Sequence, residues 1–423
     1  MLFCRNGRAD SLTIEGRIVA PAQGIDECLS ITVEDGVIGR IEPSGSSRLL
    51  VAPAFVDPHV HLRTPGREDE ETLRSGTEAA AAGGYCAIIA MPNTEPVVDS
   101  AAVLGALVER AREEAVVPTG FMAAISKGQR GEELSEMAEL AESGAAAFTD
   151  DGRPVVSAGV MRRALQYSSL AGRPLALHCE EPELSRGGHA HEGEVAAELG
   201  LGPYPSAAES LMVERDLALA QTEGRPLHLM HLSARESVDA LRRAQANGVR
   251  ATGEVTPHHL CLTEEAVRSL DPNVKMNPPL RAEEDRRALL EALRDGTIAA
   301  VATDHAPHAR HEKDVPFEEA PFGVTGLETA FAALYTRLVM AGELSLETLL
   351  ERMSAGAARA LGLPEPRIEV GARANLVVLD LDAEWQVTEA GFRSLSANSW
   401  LLGETLRGHV VRTIADGREV FAA

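Results

Sequence analysis

Two histidines separated by one residue suggest where this chain could do chemistry. Asp57-Pro-His59-Val-His61-Leu-Arg63 follows Leu49-Leu-Val-Ala-Pro-Ala-Phe-Val56, a run of small and apolar residues that reads as a buried strand. In extended chain, residues two apart face the same side, so both imidazoles converge. Converging imidazoles make half of a metal site, because a divalent ion needs several lone pairs from fixed directions. A lone His-x-His is more often a surface accident, so the other ligands must come from elsewhere in the chain. Thr149-Asp150-Asp151-Gly152 follows the apolar run 145–148, and His178-Cys-Glu180 follows 174–177. His231-Leu-Ser233 follows 226–230, and Asp304-His305-Ala-Pro-His308 follows 298–302.

Each of these has a bland reading: a hydrogen-bonded histidine at a strand end, an Asp-Gly turn, an aspartate capping a helix. Four histidines and two aspartates recurring together just after apolar runs have little reason in packing. Six ligands exceed what one four-coordinate ion takes and imply two ions. A bridging carboxylate would hold such a pair roughly 3.5–4 Å apart, where both act on one water and one carbonyl. That is hydrolysis of a polarised C=O. Dinucleotide redox chemistry is not indicated, because no phosphate-cradling glycine fingerprint follows a strand and Gly83-Gly84 precedes one.

The elements that must position these groups alternate. Apolar runs at 49–56, 86–91, 116–123, 145–148, 174–177, 226–230, 249–255 and 298–302 are separated by helical patterns. Val103, Leu104, Leu107, Val108 and Ala111 share one helix face. Ser233-Ala-Arg-Glu236 reads as a capping box opening a helix that Asn247-Gly248 closes. Leu289, Leu290 and Leu293 follow acidic Glu283-Glu-Asp285 and stop at Gly296. Eight βα alternations predict an α/β fold, a (β/α)8 TIM-like barrel whose catalytic groups sit just after the C-terminal strand ends. Both ends of the chain are rich in short strands with Asp-Gly turns at Asp35-Gly36 and Asp416-Gly417. They predict a small β-sandwich domain formed from both termini. The expected boundaries are 1–52 and 366–423 for the sandwich and 53–365 for the barrel.

At 423 residues the chain exceeds what one core usually supports, which agrees with two domains. A net charge of −24 argues against nucleic acid or an anionic membrane as partner. It also makes Arg63 more noticeable, since an anionic substrate would need a local cation. No apolar run approaches a membrane span, and the N-terminus lacks a signal-peptide layout. Five scattered cysteines without a C-x-x-C favour reduced thiols and a cytoplasmic protein.

Asp57-Pro-His-Val-His, Met91-Pro-Asn-Thr94, Phe148-Thr-Asp-Asp-Gly, Leu177-His-Cys-Glu, His231-Leu-Ser, Met276-Asn-Pro-Pro-Leu-Arg281 and Thr303-Asp-His-Ala-Pro-His308 resemble the amidohydrolase superfamily. More narrowly, they are similar to bacterial class I dihydroorotase over essentially the whole chain. The resemblance implies two zinc ions per subunit. His59, His61 and Asp304 would hold one, His178 and His231 the other, and Asp151, chosen over Asp150 by the resemblance, would bridge them. It implies Asp304 as the catalytic proton carrier. His61, Arg63, Asn93, Asn277, His308 and the backbone at Phe322-Gly323 would contact the substrate, dihydroorotate or N-carbamoyl-L-aspartate. A homodimer and a complex with aspartate transcarbamoylase are the assemblies such a protein would form. Thr64 departs from the pattern, since relatives often carry an acidic residue there. Hydantoinases, dihydropyrimidinases and allantoinases share the fold but bridge their metals with a carbamylated lysine. The only lysines here, Lys127, Lys275 and Lys313, do not follow the fourth strand. Non-catalytic scaffold subunits of aspartate transcarbamoylase lose metal ligands, and this chain keeps all six. The polar segment 309–321 is the expected lid.

Overall fold

The computed structural model describes all 423 residues. Its strands in chain order begin with β1 (Leu12–Ala20), β2 (Ile25–Glu34), β3 (Val37–Pro43) and β4 (Leu50–Pro53). Then come β5 (Phe55–Val60), β6 (Tyr85–Ala90), β7 (Thr119–Phe121) and β8 (Leu175–Leu177). The short pair β9 (Ala190–His191) and β10 (Pro203–Tyr204) precedes β11 (Leu227–Leu229), β12 (Ala251–Val255) and β13 (Ala300–Val301). The chain ends with β14 (Leu376–Gln386), β15 (Thr405–Ala415) and β16 (Arg418–Ala422).

The two β-rich ends form one seven-stranded sheet in the order β16-β15-β14-β4-β1-β2-β3. Both Asp-Gly pairs make its hairpin turns, with positive φ at Asp35, Gly36, Asp416 and Gly417. The sheet's period of two explains how it serves two cores. Ile14, Ile18, Val51, Leu376, Val378 and Ile414 enclose the sandwich core. The alternating neighbours Val19, Leu50, Ala52, Val377, Leu379 and Ala415 turn the other way and join the core of the barrel.

β5, β6 and β7 lie parallel and adjacent, as do β8, β11, β12 and β13. Phe148 bridges Ala123 on one side and Leu175 on the other, and Val60 bridges His305, so the eight positions close into a (β/α)8 barrel. Several expected boundaries shift. The run 49–56 splits at Ala54: β4 joins the terminal sheet, and β5 begins the barrel, where the Phe55 N–H bonds to Gly84. His59 is therefore inside a strand rather than after one. The fourth strand is reduced to its one doubly bridged residue, Phe148, because the Ala145 N–H turns back to Leu140 at the end of the preceding helix.

Two other local readings change. The helix Arg235–Ala246 has no side-chain N-cap. The Ser233 hydroxyl instead donates to buried Glu209 and accepts from Arg281 Nε, while the Arg235 N–H donates to Asp285 at 2.9 Å. Segment 309–321 is anchored rather than a free lid. Lys313 Nζ donates to the Pro272 and Pro321 carbonyls at 3.1 and 2.7 Å, and Lys275 Nζ donates to those of Phe317 and Glu318 at 2.8 and 3.0 Å.

Candidate active site

The C-terminal mouth of the barrel gathers the six expected ligands. His59 and His61 come from β5 and the residue after it, His178 follows β8, His231 lies two residues beyond β11, and Asp304 lies beyond β13. All six are buried. His59 and His61 present Nε2 to each other at 3.3 Å and to Asp304 Oδ1 at 3.4 and 3.1 Å. His178 Nδ1 and His231 Nε2 stand 3.0 Å apart. Asp151 lies between the two groups. Its Oδ2 faces His59 and His61 at 3.8 and 3.6 Å, and its Oδ1 faces His178 and His231, each at 3.7 Å.

These spacings test whether the residues suit a metal. Ligand atoms around a four-coordinate ion with bonds of roughly 2.0–2.1 Å are separated by about 3.4 Å. The separations above bracket that value. The far side of each ring fixes which nitrogen keeps its lone pair. His59 Nδ1–H donates to Glu254 Oε1 at 3.0 Å, His61 Nδ1–H to Asn93 Oδ1 at 3.0 Å, and His178 Nε2–H to Glu180 Oε2 at 2.8 Å. With the outer nitrogen engaged as donor, the inward nitrogen of each of the three rings is the one that can give its lone pair to a metal, as ligation requires. The donor set fits a metal centre.

The electrostatics agree. Burial alone would lower the His59 imidazole, but the facing Asp304 and Asp151 carboxylates, with Glu254, lift it to about 10. Burial would likewise raise Asp151 and Asp304, yet the surrounding imidazoles hold both below the ordinary carboxylate range. Buried carboxylates facing several lone pairs call for positive charge between them.

Backbone geometry adds a mark that residue types could not reveal. Arg63, His231 and Asp304 have φ of 54°, 34° and 49°, in the left-handed region that non-glycine residues seldom adopt. Such conformations persist where surrounding structure over-determines them, and here each aims a site residue from a strand end.

A cavity of about 150 Å3 opens beside the cluster, lined by His61, Arg63, Asn93, Asp151, His178, His231, Asn277, Asp304, Phe322 and Gly323 among others. Arg63 Nε is held by the Pro307 carbonyl at 3.1 Å and Glu70 at 2.9 Å. Asn277 Nδ2 donates to Glu180 at 3.0 Å, and its Oδ1 is buried without a partner. Because a carboxylate only accepts, Glu180 dictates that Asn277 shows the cavity its oxygen.

Three of the expected contacts also have partners within the protein. Asn93 Nδ2 donates to Asp151 at 3.1 Å, so this residue ties His61 to Asp151. His308 is absent from the cavity lining; its Nε2 faces the Phe322 carbonyl at 2.8 Å and Arg63 at 3.4 Å. The Gly323 N–H is taken by the Lys275 carbonyl at 2.9 Å. Gly323 has φ of 123°, and a Cβ there would lie 2.7 Å from that of Ala306.

Asp150 turns away, accepting from the Ser126 N–H at 3.0 Å and from its hydroxyl. Sequence reading missed Glu254, Glu180, Asn398 and Glu70 as supports of the site. A lone acid inside the apolar run 249–255 was the one visible signal for Glu254, and Glu180 stood in a motif without a role.

A family profile described as Dihydro-orotase-like matches residues 47–237, and one described as Amidohydrolase family matches 270–421. A protein named dihydroorotase from Pelotomaculum thermopropionicum is 44% identical over 414 residues, 96% of this chain and 97% of its own length. One of the same name from Anaeromyxobacter dehalogenans is 46% identical over 425 residues, 97% of this chain and 98% of its own. Among solved structures, the L-hydantoinase (dihydropyrimidinase) of Arthrobacter aurescens superposes with a TM-score of 0.85 at 26% identity, covering 95% of this chain and 94% of that one. A D-hydantoinase (dihydropyrimidinase) from Thermus sp. reaches a TM-score of 0.79 at 24% identity, covering 96% and 95%, and shares the fold.

Proposed function

The chain belongs to the dihydroorotase family, and from that premise we propose that it is a metal-dependent cyclic amide hydrolase interconverting (S)-dihydroorotate and N-carbamoyl-L-aspartate in pyrimidine synthesis. The observation that carries this reading is Asp151, with one oxygen toward each histidine group, beside a cavity that Arg63 lines. The finer assignment to bacterial class I is supported by an aspartate in the bridging place. Hydantoinase-type relatives use a carbamylated lysine there. Lys275 and Lys313 instead hold backbone carbonyls of segment 309–321 and its neighbours.

His59, His61 and Asp304 would hold one zinc ion, His178 and His231 a second, with Asp151 shared. Metal bound there would polarise the scissile carbonyl and make water a competent nucleophile near neutral pH. The remaining steps belong to the chain. Asp304 takes the proton from the attacking water and passes it to the departing ring nitrogen; in cyclisation it runs in reverse. Arg63, with Nε already engaged, offers its outer N–H groups to the substrate carboxylate. Asn277 accepts a ring N–H through Oδ1. Asn93 keeps His61 and Asp151 in register, and the His308 Nε2–H donates to the Phe322 carbonyl beside Arg63. Glu254, buried between His59 and His228, keeps the first histidine in its ligating tautomer.

The test is turnover of purified protein in both directions, before and after chelation and zinc return, with hydantoin, dihydrouracil and allantoin as competing rings. Dihydroorotate is expected to be the preferred ring, with activity lost on chelation and restored by metal. Undiminished activity in metal-free protein would overturn the mechanism. Preference for hydantoin would move the chain to its structural neighbours' chemistry.

A further inference from the structure

The N-terminal mouth of the barrel, opposite the cluster of histidines, carries a second concentration of charge. Arg173, Arg225 and Arg250 stand one or two residues before β8, β11 and β12. These strands are adjacent and in register, Leu227 pairing with both Leu175 and Ala251. Two of the approaches repeat a local sequence, Gly172-Arg-Pro-Leu and Gly224-Arg-Pro-Leu. Each glycine is left-handed, with φ of 64° and 63°, and stops a helix, Ala158–Ala171 or Ala207–Glu223, before its strand begins. The fold therefore places the three arginines at the starts of adjacent strands.

They border a cavity of about 520 Å3 that also takes in Arg359, Ser168 and Thr252, and no carboxylate lines it. Arg359 is paired with Glu351 and Glu365, whereas the other three form no ion pair. A structural role accounts for only part of their capacity. Arg173 Nε donates to Ala145 at 2.9 Å and Arg250 donates one N–H to Gly224 at 3.0 Å. Arg225 Nε is buried with no partner at all. Only Glu223, itself bonded to Arg162 and Gln166, offsets part of the charge at Arg225. In a chain of net charge −24, leaving neighbouring guanidinium groups so weakly compensated costs mutual repulsion that an anion would relieve.

We propose that this mouth is a binding site for a small phosphate-bearing molecule, separate from the substrate cavity. Planar guanidinium forks match phosphate oxygens bidentately, and hydroxyls at the wall suit the remaining ones. The volume lies within the range of roughly 300–1,000 Å3 usual for small-molecule sites.

Calorimetric titration of the metal-loaded enzyme with pyrophosphate tests this, with saturating N-carbamoyl-L-aspartate covering the substrate cavity. One site per chain is expected, weakening steeply with added salt. The combined Arg173→Ser, Arg225→Ser and Arg250→Ser variant should lose at least an order of magnitude in affinity. Its turnover of dihydroorotate should stay within about twofold of the parent. Arg250→Ser alone, at an exposed rim position, should weaken binding several-fold at unchanged melting temperature, which keeps the test valid if the combined variant folds poorly. Absence of pyrophosphate binding to the parent, or equal affinity in the arginine variants, would overturn the proposal.

Discussion

The two mouths of the barrel are built from the same strands and differ in what backs their charged groups. At the C-terminal mouth His59, His61 and His178 are each oriented by a partner on the far side, from Glu254, Asn93 and Glu180. At the N-terminal mouth, Arg173 and Arg250 use single N–H groups on backbone carbonyls and Arg225 Nε has no partner. β8 and β11 connect the two, with Arg173 and Arg225 before them and His178 and His231 beyond them. A strand end supplies direction only. Whether it becomes a rigid catalytic constellation depends on the second layer of hydrogen bonds, which pre-organises one mouth and leaves the other open to a ligand.

This contrast breaks most severely at Asp304. Asp304→Asn removes the proposed proton carrier, and kcat for dihydroorotate should fall by roughly 10²–10⁴-fold with the circular dichroism spectrum unchanged. A rate near the parent's would sink its assigned role.

Next in size is the support layer. Glu254→Gln should weaken metal retention by about 10–100-fold in a chelator competition, since His59 loses its charged orienting partner. The same residue sets an acid limit. Burial would raise the Glu254 carboxyl, but His228 and His59 lower it from 4.5 to about 2 in the folded protein. A depressed carboxylate contributes stability above its unfolded value, and that stability is lost as pH falls from 4.5 toward 2. Urea midpoints should therefore drop over that interval in the parent and drop less in the Gln variant.

A smaller effect sharpens the role of Glu180, which reaches both His178 and Asn277. Glu180→Ala should raise KM for dihydroorotate by about tenfold, an energy near 1.4 kcal/mol. Glu180→Gln should restore much of it, because its amide oxygen can still accept. If Glu180 acts through Asn277, its effect on KM should largely vanish in an Asn277→Ala background. Additive losses would mean that the two act independently. The smallest expected change is at the other mouth, where Arg250→Ser should leave kcat and KM for dihydroorotate unmoved.

Much of the fold was legible because the hydrophobic periods are local. The alternation of apolar runs and helical faces marked the barrel, and the Asp-Gly turns marked the terminal sheet. What failed to read were features set by distant partners. The residues 145–148 look like a strand, yet only Phe148 is bridged on both sides. Ser233 has a capping sequence, but buried Glu209 claims its hydroxyl. Asn398, near the C-terminal end, accepts from the His308 N–H at 3.0 Å and donates to the Gly323 carbonyl at 3.2 Å. No local pattern announces that reach.

The amino-acid sequence by itself determined the candidate ligand types and their place at or near strand ends, since strand polarity and side-chain alternation follow from neighbouring residues. Tertiary structure alone decided which of two adjacent aspartates faces the histidines, because Ser126 holds Asp150 away. It also decided the left-handed backbone of Arg63, His231 and Asp304, and the tautomers imposed by Glu254 and Asn93. These depend on contacts across as many as 195 residues of chain, as between His59 and Glu254, and such contacts exist only once the barrel has closed.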